Sequence, residues 1–358
     1  MKKIIDIGKV ILDVFYRIFS SKIFIFMLVI SLMMGVFQVS TGYRKEILLK
    51  EQEMFYEYSD IEVKYYFDSL DNNYSDDTGI NSMISCYQKS INLDEVPNSV
   101  RTNITSLNNL YGSDSKYFNF LYYDLFSGFT VSYNEDRPIF TASTIKAPAM
   151  IYIYELASRG EVDLNEQIVF TSNFYRGGSG VLKNKPANTS YTIEELVQYT
   201  IYESDNIAYS MLMNRFGRIN IRDFWRKLGS EYLFENDTIW GYMSANDALI
   251  YMKELYRFSK ENEEYGGRLL HHFKNAKWKL ITSLDGEFNT ANKGGWSNSA
   301  IHDIAIVFDK NPYILIIMSN MGESNYSYLF NRTSKLVGSM HLEYWKYKVD
   351  MCSNIKLY

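Results

Sequence analysis

The sequence predicts an α/β domain of the α+β kind, its sheet closed by the two ends of the domain, preceded by one membrane-spanning helix. Three observations carry that prediction. Strand-like runs stand at both ends of the region beyond residue 116, helical patterns fill the interval between them, and an unbroken apolar run lies near the N-terminus.

No residue between Lys22 and Arg44 is charged, and Ile23 to Val39 is almost wholly apolar. A bilayer needs ~20 such residues, and a buried core helix would keep a polar face, which this run lacks. Lys2, Lys3, Lys9, Arg17 and Lys22 precede it, which places the N-terminus in the cytoplasm. A cleaved signal peptide is the rival reading. The long leading segment and the lack of a small-x-small cleavage site favour an anchor. The expected organisation is a cytoplasmic segment over 1–22, an anchor over 23–43, an extracytoplasmic stalk or N-terminal region over 44–112 and a folded domain over 113–350. Within the third part, Arg44 to Leu70 reads as helical and Asp71 to Gly79 as a loop. Ile80 to Gly112 holds short helical patterns broken near Pro97.

From Lys116 the pattern sharpens. Phe118–Asp124 is aromatic and strand-like, Leu125–Gly128 reads as a turn and Phe129–Tyr133 as a second strand, which makes a hairpin. Asn134–Pro138 is a further turn. A helix is predicted to start near Ser143 and to stop at Gly160. Thr192 reads as the cap of another, with acidic residues in its first turn. Helices follow over Asn206–Phe216 and Ala245–Phe258. Asp303–Phe308 and Tyr313–Met318 are apolar strands around a Lys310-Asn311-Pro312 turn, and a last helix covers about Tyr326–Tyr347.

The composition narrows the function classes. The chain has 358 residues, of which 46% are hydrophobic and 22% charged, so a sizeable core forms and wholesale disorder is excluded. Net charge is −5 without a basic block in the body of the chain, so nucleic acid is not an expected partner. Two cysteines, Cys86 and Cys352, exclude a disulfide framework and leave one bridge open. The histidines, at 271, 272, 302 and 341, show no zinc-protease spacing. No glycine-rich loop ends in Gly-Lys-Ser/Thr, so no metal or nucleotide cofactor is expected. The chain carries no signal for an oligomeric state.

Three short motifs then stand in order: Ser143-Thr144-Ile145-Lys146, Ser204-Asp205-Asn206 and Lys293-Gly294-Gly295. Residues three apart on a helix share a face, so Lys146 can reach the Ser143 hydroxyl. A lysine can activate that hydroxyl when burial or a nearby cation lowers its pKa. A helix start also offers unpaired N–H groups where an oxyanion would form. The spacing alone is not specific, because Ser113/Lys116 and Ser353/Lys356 repeat it. Only Ser143 leads into a long apolar helix. Ser204 offers a second hydroxyl, Asn206 an amide to grip substrate, and Lys293 a cation to draw in a carboxylate and depress the Lys146 pKa. Gly294 and Gly295 let a substrate backbone lie close before Trp296.

The three motifs together resemble the penicillin-recognising serine enzymes, most closely the class A β-lactamase branch. The similarity runs from about Lys116 to Lys346. It includes FLYYDLFSGFTVSYNEDRPIFTASTIKAPAM, GGSGVL at Gly177–Leu182, YTIEELVQYTIYESDNIAYSMLMNRFG at Tyr191–Gly217, Ser244–Ala248 and HDIAIVF. The resemblance implies an antiparallel sheet flanked by helices, with a helical subdomain. It implies Ser143 as acylated nucleophile and Lys146 as its base, Ser204 as proton shuttle, Lys293 as cation and Asn206 as substrate-amide ligand. The oxyanion hole falls to the N–H groups of Ser143 and Trp296, where one donor is worth roughly 10²–10³ in rate. The implied substrate is a β-lactam or a peptide-like small molecule of the D-alanyl type.

The chain departs from that family twice. The family's Glu-x-x-Leu-Asn loop glutamate, which activates the deacylating water, is absent. Glu231 and Glu235 fall in a shortened interval with the wrong neighbours, so a penicillin acyl-enzyme is expected to persist. Gly294 stands where the family has a hydroxyl, which removes a hydrogen bond to the substrate carboxylate worth ~1–3 kcal/mol. Other constellations carry less. His302 and Asp303 are neighbours in a strand, point to opposite faces and cannot form a triad. His271-His272 reads as a surface pair at a helix end, Gly177–Gly180 as a loop at the rim of a cleft, and the many aromatic residues as packing.

Overall fold

The computed structural model describes residues 85–353 apart from 236–237, 284–288, 310 and 322–326. The expected anchor over 23–43, the stalk helix and the loop over 71–79 lie outside these residues. Among the described residues no helix is long and apolar enough to cross a membrane.

Helix α1 (Asn98–Tyr111) comes first, released from the preceding chain by Pro97. Strands β1 (Phe118–Asp124) and β2 (Thr130–Tyr133) make the expected hairpin. A two-residue β3 (Ile139–Phe140) leads through a 3₁₀ turn, Ala142–Ile145, into α2 (Lys146–Ser158). The helix predicted from Ser143 thus begins one turn later, with Ser143 in the tighter turn. Gly160, at φ +73°, stops it. The subdomain that follows holds β4 (Gln167–Phe170), β5 (Thr189–Thr192), α3 (Ile193–Tyr202), α4 (Asn206–Phe216) and α5 (Arg218–Lys227). Thr192 caps α3 as predicted, in a reciprocal box with Glu195. The chain returns through β6 (Tyr242–Met243), α6 (Ala245–Glu261) and α7 (Arg268–Lys274). It closes with β7 (Thr290–Ser297), β8 (Ala300–Val307), β9 (Tyr313–Ser319) and α8 (Ser327–Ser353).

The main sheet is antiparallel, in the order β2-β1-β9-β8-β7. Both ends of the domain therefore meet at its centre, where β1 pairs with β9. The inner face, with Leu121, Ile304, Ile306, Ile314, Ile316 and Met318, joins the core under α2 and α6. The outer face carries Tyr122 and Asp124 against α8: the Tyr122 hydroxyl lies 2.7 Å from His341 Nδ1, and Trp345 Nε1 donates to Asp124 at 2.8 Å. Strand β8 is buried along its whole length, which suits its apolar run from Ile304 to Val307 and leaves His302 and Asp303 as buried polar groups.

Helix α1 packs on α8, and Cys86 is bridged to Cys352. The Lys348 amine donates to the carbonyls of Cys86 and Lys89, each at 2.6 Å. The domain boundary expected at residue 113 therefore moves back. Residues 86–111 are strapped to the closing helix rather than forming part of a stalk. His272 is a second correction. It is buried between α7, α3 and α2, 2.8 Å from Glu194 and 3.0 Å from the Tyr154 hydroxyl, and is not half of a surface pair.

Candidate active site

Three elements deliver the motif residues to one place. The turn before α2 presents Ser143, the start of α4 presents Ser204 and Asn206, and β7 presents Lys293. Ala142 and Ser204 both hold positive φ, +43° and +50°. For residues with a Cβ this conformation costs roughly 1–3 kcal/mol each. The strain falls immediately before the Ser143 hydroxyl and at the Ser204 hydroxyl themselves.

Lys146 is fully buried, and its Nζ lies 3.2 Å from Ser143 Oγ and 3.3 Å from Ser204 Oγ. It donates to the Ser204 carbonyl at 2.5 Å and to Asn206 Oδ1 at 2.7 Å. A neutral amine has two N–H groups and one lone pair. With both hydrogens directed at those two oxygens, the lone pair is left for a hydroxyl. Burial pulls the Lys146 pKa well below the ordinary lysine value; the nearby Lys293 lowers it further, and Asp205 opposes. Lys293 Nζ donates to Ser204 Oγ at 3.0 Å and to its neighbour's carbonyl, Gly294 O, at 2.7 Å. Burial lowers its pKa to about 7 against the pull of Asp303. Ser204 Oγ thus bridges two amines.

The period-2 alternation of β7 sets what each side of the strand sees. Lys293 and Gly295 face inward. A Cβ at Gly295 would lie 2.8 Å from the backbone nitrogens of Ser143 and Thr144, and 3.1 Å from Thr141 O. Only glycine lets the strand run this close to the turn. That approach brings the Trp296 amide, one residue on, beside the turn that carries the Ser143 amide. Gly294 faces outward, where a Cβ would meet Trp278 O at 3.2 Å.

Asn206 lies beside Lys146: its Oδ1 accepts from the Lys146 amine, and one Nδ2 hydrogen goes to Gly177 O at 2.8 Å, which leaves the second N–H for a substrate. His302 and Asp303 do point apart. His302 Nε2 is 2.6 Å from Phe140 O, whereas Asp303 accepts from Leu280 N, Ile281 N and Asn292 Nδ2. Glu235 is exposed and pairs with Arg226, and Glu231 is exposed. Among the described residues, no carboxylate hydrogen-bonds to Ser143 or Lys146.

Four further features shape the site. Asp205 caps α4 through Ile207 N and Ala208 N, and with its other oxygen accepts from Val181 N at 2.7 Å and Leu182 N at 2.8 Å. It thereby ties the Gly177–Leu182 loop to the second motif, and a Cβ at Gly180 would lie 2.2 Å from it. An acidic residue one place before a helix is a readable cap signal; its second duty is not. Trp240 and Tyr209 place their rings 5.6 and 5.8 Å from Lys146 Nζ. Trp278 stacks on Trp296 at 3.9 Å. No local pattern marks these contacts.

A sheet with a helical subdomain and a serine-lysine-serine-lysine cluster between them define the class: a serine enzyme of the acyl-transfer type. The model of the β-lactamase enzyme family matches residues 102–340. The chain belongs to that family of serine hydrolases, which work through an acyl-enzyme. Among solved structures it is similar to a β-lactamase from Sphaerobacter thermophilus DSM 20745, at 19% identity and TM-score 0.59, over 67% of this chain and 95% of that one. PBP-A matches at 20% identity and TM-score 0.60, over 67% and 96%. A β-lactamase from Chitinophaga pinensis DSM 2588 matches at 17% identity and TM-score 0.58, over 69% and 99%. At these identities the likeness is one of fold. No curated protein matches the sequence.

Proposed function

We propose that this protein is a membrane-anchored, extracytoplasmic serine hydrolase that opens a β-lactam or D-alanyl-type amide through an ester on Ser143 and releases the acyl group slowly. The observation that carries this reading is the single hydrogen-bonded cluster of Ser143, Lys146, Ser204 and Lys293.

Neutral Lys146 takes the proton as Ser143 Oγ attacks the carbonyl carbon. The oxyanion forms against the Ser143 and Trp296 N–H groups, at the strand that Gly295 keeps close. The proton passes by way of Ser204 Oγ to the leaving nitrogen. Lys293 stabilises the negative charge that Ser204 gathers during this relay. Deacylation then needs a base for water. The Lys146 amine lies beside the rings of Trp240 and Tyr209 and hydrogen-bonds to no carboxylate among the described residues. Slow release follows. A variant of PBP-A is held as its acyl-enzyme complex with penicillin G, which supports a similar adduct for this fold.

Two features support the location. The apolar run 23–39 follows five basic residues, and the Cys86–Cys352 bridge suits an oxidising compartment. The same aromatic wall favours a second reading, in which the protein acylates once and serves as a tethered sensor, with a D,D-peptidase as the enzymatic counterpart. Incubation with a penicillin separates these readings, with intact mass and opened drug followed together. A lasting adduct with little product is expected. Rapid product release contradicts slow deacylation, and no adduct with no product contradicts the substrate class.

A further inference from the structure

We propose that the substrate group lying against the outward side of β7, beyond the oxyanion amide, is uncharged and apolar, held by Trp278 and Trp296 in place of a carboxylate. This rests on the acyl-transfer reading above and adds a substrate class to it.

The outward face of β7 is shaped by Gly294. Without a side chain there, the backbone of Trp278 closes to the strand, and a Cβ at Gly294 would sit 3.2 Å from Trp278 O and 3.6 Å from Trp278 Cβ. The indole of Trp278 then lies on that of Trp296, with centroids 3.9 Å apart and planes at 30°. Trp278 remains 42% exposed, so the outer part of the pair is open to a ligand. A small cavity beside the pair is completed by Leu280, Ile301 and His302. Its walls are hydrocarbon and aromatic ring.

Among the described residues, no charge in this cavity would hold an anion. His302 is fixed as a neutral ring by its own partners. The Ser319 N–H donates to Nδ1 at 2.9 Å, so Nδ1 carries no proton, and Nε2 donates to Phe140 O. Lys293 projects from the opposite face of the strand into Ser204. The neighbouring lysines are turned elsewhere: Lys277 pairs with Glu203, and Lys279 donates to the carbonyls of Lys274 and Thr290. Asp303 is the register partner of Gly294 and shares its outward face. An arriving carboxylate would therefore meet a buried acid behind the strand and two indoles beside it, and would lose its water without gaining a partner. An ester, an amide or a ring in the same position would stack on Trp278 and cover it.

The test uses the full-length protein with benzylpenicillin and its methyl ester, which differ only at the carboxylate. The second-order rate of mass gain on Ser143 is measured for each. The ester is expected to react at least as fast as the acid. In Trp278→Arg the acid should gain at least tenfold and the ester should fall, so the ratio inverts. Trp278→Ala, checked for folding by circular dichroism, should slow the ester several-fold and lower the ester-to-acid rate ratio. A tenfold preference of the wild-type protein for the acid overturns the subsite alone. A ratio unmoved in both folded variants does the same. Labelling of Ser143 by neither compound removes the acyl-transfer reading, and the subsite with it.

Discussion

Gly295→Ala adds a single methyl group, and the structure fixes where that group must go. It would lie 2.8 Å from two backbone nitrogens and 3.1 Å from a backbone oxygen. Ordinary contact begins near 3.4 Å, so the gap is short by 3.4 − 2.8, about 0.6 Å. None of these atoms belongs to a side chain that can rotate away. Either β7 retreats or the Ser143 turn deforms, and Ser143 already follows a strained Ala142. Overpacking of this size costs ~1–3 kcal/mol of stability, which leaves the domain folded. The effect on chemistry is larger. The Trp296 amide would draw back by more than half an ångström from the oxyanion position. Loss of one such donor costs roughly 10²–10³ in rate. The expected result is acylation by penicillin slowed about 100-fold, with the melting temperature lowered by only a few degrees. Stopped-flow or quenched-mass measurement of acylation, paired with a thermal melt, checks it. Wild-type acylation in a folded Gly295→Ala protein would refute the claim that this strand completes the site.

Four further outcomes follow from the same geometry. Lys146→Ala should slow acylation at least 10²-fold, the range of a positioned base; in the wild type the rate should rise with pH along a limb lying below the ordinary lysine value of 10.5, read from a pH profile of acylation. Lys293 holds fewer protons folded, at about 7, than unfolded, at about 10.5. Its contribution to stability therefore rises with pH between those values, so the gain in urea midpoint from pH 7 to pH 9 should shrink in Lys293→Gln. Asp205→Ala removes a cap worth ~1 kcal/mol and strands two loop amides worth ~1–3 kcal/mol each; urea titration should show a loss of at least ~3 kcal/mol with acylation also impaired. Cys352→Ser, which opens a bridge spanning 266 residues, should cost about 2–5 kcal/mol while leaving acylation below the new melting point unchanged.

Local pattern carried much of this fold. Phe118–Asp124 and Tyr313–Met318 read as strands because aromatic and β-branched runs were bounded by turn residues, and they proved to be paired neighbours. Thr192 and Gly160 announced a helix start and stop through side-chain and backbone chemistry that acts within four residues. The motif residues were legible because each carries reactive chemistry, and the structure clusters them. Contacts made across the chain were not legible. Cys86 meets Cys352 only because α1 and α8 lie together. His272 is buried because α3 brings Glu194 to it. The position of Asp205 before a helix carries a cap signal, but nothing local marks its grip on the Gly177–Leu182 loop. Trp240 beside Lys146 and Trp278 on Trp296 arise from irregular segments without periodicity. The absent loop glutamate was visible as a missing pattern, whereas the aromatic rings beside Lys146 required coordinates.

The most direct test of the account is peptide mapping after reaction with a penicillin. Digestion and tandem mass spectrometry should place one acyl group on Ser143, and Ser143→Ala should carry none. An adduct on another residue, or one that survives in Ser143→Ala, would contradict the assignment of the nucleophile.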